Sequence, residues 1–298
     1  MGMRVALAYA VMCAIWGSTW LAIKVALTGM TPMVGVGARF MVAGLFLYLV
    51  AAIVRPPAAQ RTPFSLVLVL AAMLFGGNYV FTYFAETHLA SGLVAVLFGT
   101  LPFFILLFSA AMLGERVTPL AVTGAVVALA GVAVITLTGE DGQLIYILAA
   151  LFASAQSAFG NTYLKRYAHT EPLRTLPPAM LLSGIVTLAC GLVFTPGDLH
   201  AALGLAPVAA TLYLALIGSG VAFFLNHWLL KRLSTWSVGL VALIIPVIAV
   251  AIGIAVAHEP FGPRDVIGAI FVIAGVGLAL TQQQVAAAVG AATDTTPA

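Results

Sequence analysis

Apolar residues follow one another in long runs, and short stretches of glycine, proline and charge separate them. No run alternates polar and apolar residues, so strands of a membrane barrel are excluded and helices are predicted. A bilayer crossing takes roughly 20 apolar residues in a helix. Ten segments reach that length, at about 5–27, 33–54, 64–87, 90–112, 118–137, 143–165, 176–195, 205–230, 235–257 and 264–281. The breaks carry turn and breaker residues: Gly29 to Pro32, Arg55-Pro56-Pro57, Glu115 to Pro119, Gly139 to Gly142, Pro177-Pro178 and Pro196-Gly197. From Gln282 onward the chain is rich in Gln, Ala and Thr and reads as a disordered C-terminal tail, 282–298. The pattern predicts an all-α integral membrane protein of ten transmembrane helices.

Composition sharpens this reading. The 298 residues are 63% hydrophobic and 7% charged, with a mean hydropathy of +1.15. Soluble domains carry about 25% charged residues, and a soluble fold of this length could not hide so much apolar surface. The net charge of +3 does not point to nucleic acid, because the basic residues stand singly between spans. Their placement is a topology signal instead. Arg4, Arg55, Arg61, Arg116, Lys165, Arg166, Arg174, Lys231 and Arg232 fall on one side, while Arg264, Glu86, Glu140, Asp141, Asp198 and Glu259 fall on the other. The positive-inside rule then puts both termini in the cytoplasm. The first span is too long for a cleavable signal and no small-residue cleavage site follows it. Cys13 and Cys190 lie inside apolar runs and read as buried hydrophobes. No metal and no cofactor are implied.

An offset of 144 positions lays the chain on itself without gaps from 75 to 132. Gly76 meets Gly220, Leu89 meets Leu233, Pro102 meets Pro246, Glu115 meets Glu259, Pro119 meets Pro263, and Ala130-Gly131-Val132 meets Ala274-Gly275-Val276. The chain thus divides into repeats at 1–138 and 139–281, each of five spans. An odd number of crossings turns the second repeat over, giving two inverted-topology five-helix repeats. Such folds place the substrate near the midplane between repeats and suit alternating access. Pro102 and Pro246 lie near the middle of spans four and nine, where a helix-interior proline removes one hydrogen bond. They are candidates for a hinge or gate, or for a fixed packing kink. Small residues in spans five and ten, Gly124, Ala128, Gly131, Ala274 and Gly275, fit close helix packing or a dimer surface, so the chain is expected to act as a monomer or homodimer.

Several of these stretches resemble the drug/metabolite transporter superfamily, in its branch with two EamA domains and ten spans. Ile15-Trp16-Gly17-Ser18-Thr19-Trp20 through Lys24 is similar to that family's WGS-plus-lysine signature, and Arg39-Phe40 to its Arg-Phe pair. Leu101-Pro102 to Gly114-Glu115-Arg116 and Ile245-Pro246 to His258-Glu259-Pro260 look like its repeated proline-to-Gly-Glu element. His258 departs from the usual glycine, which leaves the conformation of that turn open. Within the superfamily the chain looks most like bacterial exporters of aromatic and neutral amino acids, the YddG-like group. The resemblance implies a multi-pass protein of the bacterial inner membrane. It further implies amino-acid export through a cavity lined by spans one, three, four, six, eight and nine.

Candidate substrate residues are those too polar or too deep to face lipid. Trp16 and Trp20 lie one helical turn apart in span one and fit either substrate stacking or core packing. Asn78, Tyr79, Thr82 and Tyr83 in span three, and Gln156, Ser157 and Asn161 in span six, form polar stripes. Either stripe suits cavity lining for a zwitterion or hydrogen bonding between helices. His227 in span eight is placed near the cytoplasmic mouth, as a binding or structural group. Lys24 is close enough to the span end to snorkel. Arg39 is deeper and needs a partner, a carbonyl or Glu86, as a structural anchor or a site for a substrate carboxylate. With no Asp or Glu at mid-depth in any span, transport by facilitated diffusion, or coupling through something other than a carboxylate, is expected.

Other classes fit less well. His-Glu-x-x-His and Gly-x-Ser-x-Gly are absent, and Gly218-Ser219-Gly220 has no evident acid–base pair, so an intramembrane enzyme is not expected. No charge ring or carbonyl-rich filter marks a channel. Export of multidrug or cationic compounds, lipid scrambling and sugar-nucleotide export remain as alternatives within the transporter class.

Overall fold

A computed structural model of the chain describes residues 3–56, 62–114, 118–137, 142–167, 169–230, 232 and 241–293. The topology markers Arg61, Arg116, Lys231, Glu140 and Asp141 lie outside the described residues, as do Glu115, Leu233, Pro57, positions 235–240 of span nine and the final residues 294–298.

Among the described residues the longer helices are α1 (Met3–Ala26), α2 (Pro32–Val54), α3 (Phe64–Glu86), α4 (Ser91–Phe98, continued by Leu101–Leu113), α5 (Pro119–Leu137), α6 (Leu144–Lys165), α7 (Pro172–Phe194), α8 (Leu205–Leu229), α9 (Val241–Ala257) and α10 (Pro263–Thr293), with a single turn at Leu199–Ala202 ahead of α8. Seven of them, α1 to α4 and α6 to α8, are long and apolar enough to cross a membrane. In α5 and α9 the apolar stretches are shorter, Val122–Val134 and Ile244–Ala257. Leu45, Leu49, Ile53, Val126, Leu129, Leu148 and Val193 stand exposed around the bundle. An outside this apolar suits lipid and would aggregate in water.

Proline sets several helix starts, because its missing N–H falls where a helix leaves N–H groups unpaired anyway. Pro32 follows the extended Thr31, and Pro172 follows the extended Glu171. Two expectations are corrected here. Pro177-Pro178 does not separate spans: α7 already begins at Pro172 and carries both prolines close to its start, where little helix lies upstream to be bent. The last helix does not stop near 281 but continues to Thr293, since the Ala- and Gln-rich stretch that follows is made of good helix formers.

The two halves pack reciprocally. Helix α2 packs on α7, α5 on α10, α1 on α9 as α4 on α6, and α3 on α6 as α1 on α8. Equivalent helices cross antiparallel. Gly44 of α2 faces Leu181 of α7, and Gly191 of α7 faces Val34 of α2; a Cβ would stand 2.7 and 2.8 Å from the facing backbone nitrogens. At the α5–α10 crossing Gly131 meets Gly268 and Gly275 meets Gly124, so helices touch through backbone that any larger residue would hold apart. The offset of 144 also carries one π-helical segment, Leu70–Gly77 in α3, onto another, Leu214–Val221 in α8. It carries Gly114, at φ 68, onto His258, at φ 52. The turn left open by the histidine is therefore left-handed in both copies.

Pro102 and Pro246 differ. Helix α4 is interrupted at Gly99-Thr100, and Pro102 opens its second part; Pro246 lies inside the continuous α9. Thr100 Oγ1 donates to the Leu97 carbonyl at 2.7 Å and lies 3.2 Å from the Ser154 hydroxyl of α6, which holds the interruption. The expected mid-helix proline at position 102 is thus corrected to a helix start within a broken span.

Candidate substrate site

Helices α1, α2, α3 and α8 meet around Arg39, and the π-helical segments help to bring its partners there. A π turn inserts a residue and rotates the helix beyond it, and such turns are frequent at functional sites. In α8 the segment carries Ser219, whose hydroxyl oxygen accepts from Arg39 Nε at 2.8 Å. The guanidinium carbon lies 4.3 Å from the Tyr79 ring centroid and 5.3 Å from that of Phe40. Arg39 has no exposed surface. A desolvated cation–π contact contributes about 2 kcal/mol and offsets part of the cost of burying the charge. The hydrogen-bond partner is neither of those expected from the sequence: it is Ser219, 180 positions away, while Glu86 acts on Arg39 through charge alone. Nη1 of Arg39 is as buried as the rest of the side chain and makes no hydrogen bond within 3.5 Å among the described residues.

An aromatic chain runs from this point across the interior. Tyr79 packs on Phe40 (4.9 Å between centroids), Phe40 on Phe75 (5.2 Å), Phe75 on Phe223 (5.2 Å), and Phe223 on Trp16 (5.5 Å). Tyr83, buried one turn beyond Tyr79, also faces Arg39, close enough to feel its charge and a weak side-chain hydrogen bond from it. The structure thus joins Trp16, Tyr79 and Tyr83 with Arg39. Trp20 belongs to a different cluster with Phe98, Ala85 and Leu89. Asn78 and Asn161 face the interior but turn back on their own helices. Asn78 Nδ2 donates to the Leu74 carbonyl at 3.1 Å, and Asn161 Nδ2 to the Ser157 carbonyl at 2.8 Å. Ser157 and His227 are buried. A shallow recess of about 400 Å³ lies elsewhere, between α1, α8 and α9, beside Ser18 and Tyr213; their hydroxyls are 2.6 Å apart.

A second polar cluster sits at the end of α3. Glu86, expected at the outer end of span three, closes α3 with no exposed surface, and neither carboxylate oxygen has a hydrogen-bond partner among the described residues. Lys24 does not snorkel away from it. Its Nζ donates to the main-chain carbonyls of Glu86 and Leu89, both at 2.8 Å. Glu259 grips the same turn from the other repeat: Ser91 N–H donates to Oε1 at 3.0 Å and Ser91 Oγ to Oε2 at 2.8 Å. A carboxylate at the start of α4 satisfies unpaired N–H groups and complements the helix dipole. Sequence reading missed Ser219 and the burial of Glu86. The first had a faint signal in Gly218-Ser219-Gly220, the second none, because a glutamate at a span end is ordinarily solvated.

Comparisons with known proteins agree with this architecture. The model of the EamA-like transporter family matches residues 3–137 and again 142–281. YedA of Escherichia coli K12, named as an uncharacterized inner membrane transporter, is 30% identical over 82% of this chain and 80% of its own length. A probable amino-acid metabolite efflux pump of Salmonella typhimurium LT2 is 26% identical over 88% of this chain and 89% of its own. A crystal structure at 20% identity superposes with a TM-score of 0.69, covering 94% of this chain and 97% of that one, which establishes likeness of fold.

Proposed function

Since the chain belongs to the EamA-like transporter family of the drug/metabolite transporter superfamily, we propose that it exports amino acids, aromatic and other neutral ones, or closely related metabolites by alternating access. Helices α1–α10 are ten crossings in two inverted units, 1–138 and 139–281, of the bacterial inner membrane with both termini cytoplasmic. The antiparallel crossings of equivalent helices support the inversion. The name of the YedA relative supports the location, and that of the efflux pump supports the substrate class.

The observation that carries the reading is Arg39. Ser219 and two aromatic rings fix one side of the guanidinium, and Nη1 remains for an incoming acceptor beside Tyr79 and Tyr83. A substrate carboxylate bound there gains a charge-assisted hydrogen bond in a dry site, and an aromatic or branched side chain finds the row of rings that ends at Trp16. Trp20, Asn78, Ser157, Asn161 and His227 complete the lining as the helices rearrange, with Pro102 and Pro246 as the points of flexure.

Counterflow in proteoliposomes with labelled tryptophan, labelled leucine, a sugar nucleotide and a cationic dye tests this. The amino acids exchange, and Tyr79→Ala lowers exchange about tenfold, the effect of losing roughly 1.4 kcal/mol of aromatic contact. Exchange of the dye alone overturns the reading in favour of a cation exporter.

A further inference from the structure

We infer that Glu86 is a proton-binding site that couples proton movement to opening of the end of the bundle where α1, α3 and α4 meet, an inference that rests on the transporter reading. The carboxyl group is closed off from solvent and lacks hydrogen-bond donors on both oxygens among the described residues. An ionised carboxylate so placed is stabilised by charges alone, whereas the neutral acid needs none. With no exposed surface, the group has room for a proton and not for the ammonium head of a substrate.

The charges that face it are few. Lys24 comes from α1, Arg39 from α2, and Glu259 from the turn between α9 and α10; Tyr83 precedes it on its own helix. His88, two residues further on, is turned away and stacks on Tyr146 of α6 at 3.9 Å between ring centroids. Lys24 and Glu259 hold the turn 86–92 from opposite sides, Lys24 by the carbonyls of Glu86 and Leu89 and Glu259 by the N–H groups of Ser91 and Gly92. With a proton on Glu86, Lys24 keeps its two carbonyls and the turn stays clamped. When that proton leaves to solvent, the carboxylate competes for the Lys24 ammonium, one side of the clamp is released, and α4 is free to move from the end of α3. The position equivalent to Glu86 at the offset of 144 is Leu230, at the end of α8, which has no group to take a proton.

Two measurements on the full chain in proteoliposomes test this. Infrared pH-difference spectra need no substrate: the wild type shows a protonated-carboxyl C=O band that titrates, Glu86→Gln removes it, and Glu259→Gln leaves it. A band unchanged in Glu86→Gln overturns the proposal whether or not amino acids are the substrate. In counterflow with labelled leucine, an imposed pH gradient stimulates the wild type severalfold, while Glu86→Gln exchanges at the unstimulated rate irrespective of the gradient. A Glu86→Gln variant that keeps the wild-type stimulation also overturns it.

Discussion

Helices α3 and α8 are the same element twice, yet they differ in nearly every side chain that bears chemistry. Both carry an eight-residue π-helical segment at matching positions, Leu70–Gly77 and Leu214–Val221. Beyond it α3 presents Asn78, Tyr79, Tyr83 and Glu86, where α8 presents Ala222, Phe223, His227 and Leu230. Within it the exchange reverses, with Phe75 in α3 and Ser219 in α8. Duplication has kept the π-helical backbone segment, while the side chains packed around Arg39 are divided between the copies. The first repeat supplies Trp16, Phe40, Phe75, Tyr79 and the Glu86 carboxyl, and the second supplies Phe223 and the Ser219 hydroxyl that fixes Arg39.

The largest effect is expected at the first of the paired positions inside the π segments. Phe75→Ala removes the ring that links Phe40 to Phe223 and is expected to cost about 3 kcal/mol or more. At the equivalent site, Ser219→Ala strips Arg39 of its hydrogen bond and is expected to cost about 2 kcal/mol. Thermal unfolding of the two variants in detergent, followed by size-exclusion chromatography, gives both values. If the order is reversed, the aromatic chain is not what holds this region.

Next comes the grip of one repeat on the other. Glu259→Gln keeps the shape of the cap on α4 but removes its charge, and a loss of about 1 kcal/mol is expected in the same assay. The smallest effect has opposite signs in the two copies. His258→Gly relieves a side chain held at φ 52 and is expected to add about 0.5 kcal/mol. Gly114→Ala, at φ 68, is expected to cost about 1 kcal/mol.

Much of this fold is legible in the chain. Among the described residues the apolar runs match the helices to within a few residues, apart from the last, which runs on to Thr293, because lipid leaves a helix no alternative; the paired prolines and glycines register the two halves at the offset that also superposes the π-helical segments. The π-helical segments themselves are not legible, since an i+5 bonding pattern has no residue code and only Gly76-Gly77 and Gly218-Ser219-Gly220 hint at it. The start of α7 was hidden by Pro177-Pro178, which reads as a break wherever the helix truly begins. At the candidate site, polarity inside an apolar run was enough to single out Tyr79 and Tyr83. The pairing of Arg39 with Ser219 joins distant parts of the chain, and the burial of Glu86 depends on what three other helices place around it.

Everything above depends on matching turns of the two repeats lying on opposite faces of the membrane. Single cysteines at position 114 and at position 258, in a chain carrying Cys13→Ala and Cys190→Ala, can be labelled with a membrane-impermeant maleimide in intact spheroplasts and again after lysis. The account predicts that Cys replacing His258 reacts in intact cells and that Cys replacing Gly114 reacts only after lysis. Labelling of both from the same side would contradict the inversion and with it the alternating mechanism.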